Sequence, residues 1–220
     1  MTGVLEPSFK SVLNQTDLCA TDGMPLVWAA RWLSKSAQGR VYGPDSMLLL
    51  CEQAARFDHR IFLYGGRDET LWQLSGVLRK KFPDLQIAGA YAPPFRTLSP
   101  AEDDACMSRI RESEADIVFV GIGCPKQERW MAEHKDKLPG VVLLGVGAAF
   151  DFHCGRVRQS PSWMQEAGLE WLFRLCMEPM RLWRRYLLLN PLFVALWTLQ
   201  MLGLLRYRLE DTSHAQVQAL

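Results

Sequence analysis

Four runs of mainly apolar residues divide the chain, at residues 60–64, 85–91, 116–120 and 141–146. The runs are rich in β-branched and aromatic side chains and are largely continuous, without a regular alternation of apolar and polar positions. That pattern is typical of strands that are buried on both faces of a parallel sheet. We therefore predict four central strands.

Helix signals fill two of the gaps between these strands. Residues 68–82 open with an acidic turn and close with Arg79, Lys80 and Lys81, the order of charges that stabilises both ends of a helix dipole. Residues 99–114 begin with Ser-Pro-Ala-Glu, a capping box with proline at the first helical position. Alternating strands and helices predict an α/β fold, a Rossmann-like parallel sheet with helices on both faces.

Glycines follow three of the predicted strands, at the edge where ligands of such sheets bind. They are Gly65, Gly66, Gly121, Gly123, Gly145 and Gly147. A backbone without Cβ atoms lets a ligand approach, and the following helices present free N–H groups, so this edge suits a phosphate-bearing ligand. Turn formation alone is the alternative role. Neither GxGxxG nor GxxxxGK[ST] occurs, which argues against a standard dinucleotide fold or a P-loop.

The composition narrows the function classes. The 220 residues suit one domain with an appended element. The 25 basic and 24 acidic residues nearly cancel, so no global field attracts nucleic acid. Six scattered cysteines form no CxxC pair, which indicates reduced thiols and no zinc site. The first residues lack the pattern of a secretory signal, so we expect a cytoplasmic protein.

The last fifty residues differ in composition from the rest. Residues 168–209 are rich in Trp, Leu and Arg, and residues 210–220 form a polar tail. Spacings of seven and four put three arginines on one helix face, with a fourth adjacent. These are Arg174, Arg181, Arg185 and, adjacent, Arg184. We predict a helical appendage that contacts a membrane, attached to an α/β domain at residues 1–167.

The apolar part of this appendage leaves three alternatives open. Residues 186–205 contain no charged residue and meet the minimum length of a membrane span. Their polar residues make a helix that lies in the interface comparably good as an interpretation. A buried packing helix is the third possibility.

Few side chains qualify for chemistry. Asp22, in TDGM, could accept a proton from a substrate hydroxyl, although a local turn is the simpler role. Asp151 is predicted to end the fourth strand and to accept hydrogen bonds from a ribose or a base, or else to cap a helix. His153 lacks partners for a metal site. Asp103 and Asp104 lie inside a predicted helix, so we interpret them as a solvated face and not as a metal-binding DxD motif.

Several motifs together carry a resemblance to a known family. They are TDGMPLVWAAR, RVYGPD, GIGCPKQERWM and GVGAAFDFHCGRVRQSPSWMQEAGLEWLFRLCMEPMRLWRRY. In this order and spacing, over roughly residues 9–186, they resemble the WecG/TagA/CpsF family of bacterial glycosyltransferases, glycosyltransferase family 26. The resemblance implies inverting transfer of a sugar from a UDP-sugar to a polyprenyl-diphosphate-linked saccharide. The sugar would be N-acetylmannosamine, its uronic acid or glucose, and neither a metal nor another cofactor would be needed.

The resemblance also assigns roles to residues. Asp22 would be the general base on the acceptor hydroxyl. Arg40 and Gln127 would line the nucleotide-sugar pocket, and Arg40 would also be a catalytic residue. Asp151 would lie near the nucleoside. Gly123, together with Gly65 and Gly66 after the first strand, would let the donor approach. Arg174, Arg181 and Arg184 would close over the active site at the membrane and neutralise the departing diphosphate, since guanidinium groups bind phosphate bidentately.

The resemblance leaves a second function class open. Family members carry a further strand before the region that matches residue 9, and we expect that strand to be missing here. A chain without it could be a noncatalytic, membrane-associated protein that binds nucleotide sugars. A single-span membrane protein is a third possibility. As partners we expect the donor, the lipid-linked acceptor, the inner leaflet of the cytoplasmic membrane and possible further copies of the chain, but no nucleic acid.

Overall fold

The computed structural model describes residues 2–34 and 39–205. Within that part, four parallel strands form one sheet in the order β2-β1-β3-β4. The strands are β1 (Arg60–Gly65), β2 (Gln86–Tyr91), β3 (Ile117–Gly121) and β4 (Val142–Gly145). The four predicted strands are confirmed, and no strand end differs from its predicted position by more than one residue.

Helices surround the sheet and extend beyond it. They are α1 (Thr2–Leu5), α2 (Pro7–Asn14), α3 (Met24–Ser34), α4 (Gly43–Arg56), α5 (Asp68–Lys81), α6 (Pro100–Glu112), α7 (Lys126–His134), α8 (Ala149–His153), α9 (Ser162–Glu166), α10 (Glu170–Met177) and α11 (Pro179–Met201). Helices α5 and α6 confirm the two predicted helices. The capping box of α6 is formed, since the Ser99 side chain accepts from the Glu102 backbone and the Glu102 carboxylate accepts from Ser99 N–H at 2.8 Å.

Two hydrophobic clusters cover the two faces of the sheet. On one face α4, α5 and α8 pack on Ile61, Leu63 and Phe119. On the other face α6 and α7 pack on Phe62, Tyr64, Val118 and Val120. Successive residues of a strand point to opposite faces, so strands β1 and β3 are apolar throughout because both faces are covered. The predicted helices on both faces are confirmed.

The strand order reverses between β1 and β3, where ligands of open α/β sheets bind. Gly65 and Gly121 are paired at the carboxyl ends of these strands. A Cβ on Gly65 would lie 2.6 Å from the Gly121 carbonyl carbon, and a Cβ on Gly121 would lie 2.6 Å from the buried Phe150 ring. These two glycines are therefore needed for close packing beneath the sheet edge.

The prediction that Asp103 belongs to a solvated face is wrong, whereas Asp104 is exposed as expected. The carboxylate of Asp103 lies 2.9 Å from Nε2 of the buried His134 and 3.5 Å from the Lys137 ammonium. The other ring nitrogen of His134 lies 2.7 Å from the Trp130 carbonyl. Both ring nitrogens of His134 therefore face oxygen atoms that can accept hydrogen bonds. The pairing joins α6 to α7.

Helix α11 has 23 residues and continues through Pro191. No helix within residues 2–34 and 39–205 is both long and apolar enough to cross a membrane.

Replacing Gly121 with alanine tests the close packing at the sheet edge. We expect Gly121→Ala to lower the free energy of unfolding by about 1–3 kcal/mol, because the added Cβ would overlap the buried Phe150 ring. Urea denaturation measures the loss. Gly76→Ala is the control, since a Cβ at this exposed helical position meets nothing within 4 Å, and alanine favours the helix there by up to about 1 kcal/mol. Equal stability of the two variants would contradict the packing argument.

The Asp103 pairing predicts a pH-dependent stability. Partial burial raises the pKa of the Asp103 carboxyl, but the His134 hydrogen bond, the His134 charge and Lys137 outweigh it and hold the pKa below its ordinary value. A depressed pKa means that the stabilisation is complete above the unfolded-state pKa of about 3.9 and is lost as the pH falls through the folded-state value.

We therefore expect Asp103→Asn to cost about 1–2 kcal/mol of unfolding free energy near neutral pH, with the difference from the wild type shrinking in acid. The exposed neighbour provides a matched control, Asp104→Asn. Denaturant unfolding at a series of pH values gives both curves. A difference that does not change with pH would rule out the ion pair.

Candidate functional site

Asp22 and Arg40 lie together although 18 residues separate them. The Arg40 Nε donates to the Asp22 carbonyl at 2.6 Å, and its Nη2 donates to Asp22 Oδ1 at 3.2 Å. A backbone hydrogen bond from Val41 to Thr21 holds the two segments side by side. The guanidinium group also lies 4.0 Å from the centre of the Tyr42 ring. Two residues that the sequence proposed separately therefore share one site.

Residues from the C-terminal helices complete this site. Arg40 Nη2 donates to Glu170 Oε2 at 2.5 Å, and Arg40 Nη1 donates to Gln165 Oε1 at 3.3 Å. The Tyr42 hydroxyl lies 3.4 Å from Glu170 Oε1, to which it donates. We call Asp22, Arg40, Tyr42, Gln165 and Glu170 the Asp22 cluster. Sequence reasoning missed its last three members.

The Asp22 carboxylate can act as a base. Its side chain is 61% exposed, so a substrate can reach it, whereas the Arg40 side chain is only 16% exposed. Desolvation by the surrounding protein raises the pKa of Asp22 above its ordinary value, and the negative charge of Glu170 raises it further. Arg40 and Arg174 act in the opposite direction without cancelling it. A carboxylate with a raised pKa holds a proton more strongly, which suits general base catalysis.

Burial has the same effect on the tyrosine of the cluster. It raises the pKa of the Tyr42 phenol to about 12, helped by the charge of Glu170 and opposed by a hydrogen bond from Gln159. Tyr42 therefore stays neutral over the physiological range, as a hydrogen-bond donor to Glu170.

The predicted arginines of the appendage differ in their positions. Glu170 and Arg174 are four residues apart on α10, so they share one helix face. The charge of Arg174 is close enough to lower the pKa of Asp22, and its guanidinium lies 5.7 Å from the centre of the Phe152 ring. Arg184 is exposed on α11, beside the Trp183 ring at 5.2 Å. The side chain of Arg181 lies outside the described part of the structure.

Gln127 is buried and uses both polar ends of its amide within the protein. Its Oε1 accepts from Gly147 N–H at 3.1 Å, and its Nε2 donates to Glu128 Oε1 at 3.0 Å. Gln127 thus joins the start of α7 to the loop after β4, over Gly145, where a Cβ would meet the amide at 2.8 Å. The other oxygen of Glu128 is buried without a hydrogen-bond partner among the described residues.

The prediction that Asp151 ends the fourth strand is wrong. Strand β4 stops at Gly145, and the chain turns at Gly147 with a positive φ of 55° before Asp151 enters the short helix α8. Next to Asp151, His153 lies 2.9 Å from the Pro44 carbonyl, which joins α8 to α4. Burial lowers the pKa of His153, which favours the neutral imidazole. The role of Asp151 beside a nucleoside stays a prediction.

The predicted glycines of the ligand edge have different constraints. Gly66 and Gly123 have positive φ values of 73° and 83°, which favour glycine whatever the space. A Cβ on Gly123 would meet nothing within 4 Å, so the backbone after β3 borders open space. At Gly65, the backbone of Gly121 leaves no space for a Cβ. In the described residues, no group of three or more His, Cys, Asp or Glu side chains is arranged to hold a metal ion.

Comparison with known proteins identifies the family. The model of the glycosyl transferase WecG/TagA/CpsF family matches residues 1–207. The chain belongs to this glycosyltransferase family. Two related proteins bear the name N-acetylglucosaminyldiphosphoundecaprenol N-acetyl-beta-D-mannosaminyltransferase. The one from Bacillus spizizenii (strain ATCC 23059 / NRRL B-14472 / W23) is 30% identical over 184 residues, 82% of this chain and 68% of the relative. The one from Bacillus subtilis (strain 168) is 30% identical over 185 residues, 84% of this chain and 70% of the relative.

The match confirms the resemblance that the motifs carried. Three of these motifs meet in the Asp22 cluster of this WecG/TagA/CpsF glycosyltransferase. They are Asp-Gly, Arg-Val-Tyr-Gly-Pro-Asp and Glu-Trp-Leu-Phe-Arg. The signal that could have revealed Glu170 is its spacing of four from Arg174, which puts a carboxylate on the same helix face as a predicted substrate-binding arginine.

Proposed function

We propose that the chain transfers N-acetylmannosamine from a UDP-sugar to polyprenyl-diphosphate-linked N-acetylglucosamine in the synthesis of a bacterial cell-surface polysaccharide. The names of the two relatives support this donor sugar and acceptor over the uronic acid and glucose. The observation that carries the proposal is the Asp22 cluster, in which an exposed carboxylate with a raised pKa lies against a fixed guanidinium group.

Asp22 is the general base in this proposal. Its carboxylate takes the proton of the acceptor hydroxyl while the hydroxyl oxygen attacks the anomeric carbon of the donor. The bond from that carbon to UDP breaks on the opposite side, so the anomeric centre inverts. Arg40 binds both the backbone and the side chain of Asp22 and so fixes the direction in which the base points.

The arginines of the appendage stabilise the departing diphosphate. Arg174 faces the cluster from α10 and already acts electrostatically on Asp22. A guanidinium group can hold two phosphate oxygens at once, which would replace a divalent cation in this role. We therefore expect transfer to continue in EDTA.

Helix α11 gives the appendage an apolar surface for the cytoplasmic membrane face, where the polyprenyl chain of the acceptor lies. Large apolar side chains are exposed along it, among them Met180, Leu187 and Leu188 at 89%, 56% and 64%. An exposed apolar helix preceded by arginines suits contact with lipid and anionic head groups.

Replacing Asp22 tests the base. We expect Asp22→Asn to lower the rate of transfer from UDP-N-acetylmannosamine to polyprenyl-diphosphate-GlcNAc at least about 100-fold, because an amide cannot accept the proton. The assay follows radiolabelled product in liposomes with EDTA present. Asp17→Asn is the control, since Asp17 is exposed outside the Asp22 cluster. Equal rates for wild type and Asp22→Asn would contradict the assignment, and binding of UDP without transfer by the wild type would favour the noncatalytic alternative.

Arg174 provides a separate test of diphosphate stabilisation. We expect Arg174→Gln to lower kcat about 10- to 100-fold, the range that loss of one charge-assisted hydrogen bond in the transition state corresponds to. Arg79→Gln, an exposed position at the end of α5, provides the matched loss of charge. The same liposome assay measures both variants. Full activity of Arg174→Gln would remove Arg174 from the mechanism.

A further inference from the structure

Glu170 has no part in the proposed reaction as base or phosphate ligand, yet it makes the shortest contact of Arg40 with any side chain of the Asp22 cluster. We propose that Glu170 is a positioning residue, which fixes Arg40 against Asp22 and so makes assembly of the base depend on docking of α10. The inference rests on the proposed function. It adds a residue, and a coupling between two segments, that the reaction scheme does not contain.

The hydrogen bonds of Arg40 define what this guanidinium group can do. An arginine side chain has five N–H groups in a fixed plane. Here Nε donates to the Asp22 carbonyl, Nη2 to both the Asp22 and the Glu170 carboxylates, and Nη1 to Gln165. One N–H remains, so Arg40 cannot hold a diphosphate through two parallel hydrogen bonds unless existing ones break. In this arrangement Arg40 acts on Asp22.

Glu170 is fixed in turn. One of its oxygens accepts from Arg40 and the other from the Tyr42 hydroxyl, while the Arg40 guanidinium lies over the Tyr42 ring. Gln159 donates to the Tyr42 hydroxyl at 3.2 Å and so orients it. The side chains of Arg40 and Glu170 are each 16% exposed, so solvent screens their ion pair less than it screens the exposed Asp22.

Desolvation raises the pKa of Asp22 most, and the sharing of one cation between two carboxylates adjusts that pKa further. Arg40 lowers the pKa of Asp22, whereas Glu170 raises it. Without Glu170, the whole charge of Arg40 would act on Asp22, and the Asp22 carboxylate would hold a substrate proton less strongly. Glu170 thus holds Arg40 in the position that orients Asp22. It also limits how far the charge of Arg40 lowers the pKa of Asp22.

The position of Glu170 in the chain links this effect to the appendage. Glu170 is the first residue of α10, which packs against α11. Just before it, the chain turns at Gly168, where a Cβ would lie 3.0 Å from the Trp28 ring of α3. The segment that leads into α10 therefore lies against α3, and the first residue of α10 binds Arg40. Displacing α10 would release Arg40 from its anionic anchor.

The pH dependence of transfer separates this role from a merely structural one. We expect the acidic limb of kcat/KM to shift to lower pH in Glu170→Gln, because Asp22 loses a neighbouring negative charge. Arg40→Gln should shift the limb to higher pH, because Asp22 then loses a positive charge. Glu170→Ala should also lower kcat about 10- to 100-fold, as expected for loss of a charge-assisted hydrogen bond, with a smaller change in the KM of the donor.

The exposed Glu166, four residues earlier on α9, provides the control. Glu166→Gln should keep the wild-type pH profile and rate. The inference is overturned if Glu170→Gln keeps the wild-type limb, or if it loses activity with the limb unmoved, which would indicate a structural role alone.

A measurement without turnover keeps this inference distinct from the proposed function. The ¹³C chemical shift of the Asp22 carboxyl, assigned by its absence in Asp22→Asn, reports the titration of that group directly. We expect a titration at lower pH in Glu170→Gln than in the wild type. Unchanged titration with an active wild type would overturn the role of Glu170 alone. Absence of transfer by the wild type, with the titration shifted as expected, would overturn the proposed function alone.

Discussion

The guanidinium group of Arg40 holds together the segments from which the candidate site is built. It binds Asp22 on one side and Gln165 and Glu170 on the other, across 125 and 130 residues of chain. The carboxylates of Asp22 and Glu170 lie 3.2 Å and 2.5 Å from the same Arg40 nitrogen, so they would repel each other if the arginine were absent. The site therefore depends on a charge that need not touch the substrate, and its arrangement is a property of the whole chain between residues 22 and 170.

The sheet supplies a second rigid surface, at the carboxyl ends of β1 and β3. Gly65 and Gly121 let β1, β3 and Phe150 approach more closely than any other residue would allow. The same edge continues into Gly123, which borders open space, and into the buried Gln127, which ties α7 to the loop after β4. In the proposed reaction, a donor bound above the strand ends would meet backbone that is fixed by packing below, while Asp22 on a separate loop would activate the acceptor.

The local sequence pattern was enough to predict the sheet, but it did not reveal which residues pair with the charged side chains. The four strands were predictable because strands that are buried on both faces consist of continuous runs of apolar residues. Helix α6 was predictable because its capping box lies within four consecutive residues. Glu170 and Asp103 were not, since their partners Arg40 and His134 lie 130 and 31 residues away. Family resemblance indicated Asp22 and Arg40 as site residues, yet only the fold shows that they contact each other. Asp151 was misplaced because the turn at Gly147 separates the strand from the motif.

The proposed lipid contact and the residues that hold Arg40 from the C-terminal side lie in one segment of the chain. Helix α11 exposes apolar side chains, α10 packs on α11, and the first residue of α10 anchors Arg40. A helix whose exposed surface is apolar is held less firmly in water than against lipid, since its unburied area gains nothing from the aqueous side. Firm docking of α10 would then coincide with the presence of the lipid-linked acceptor. In the proposed reaction, this coupling would restrain the base until the lipid-linked acceptor is present, which would limit hydrolysis of the donor by water.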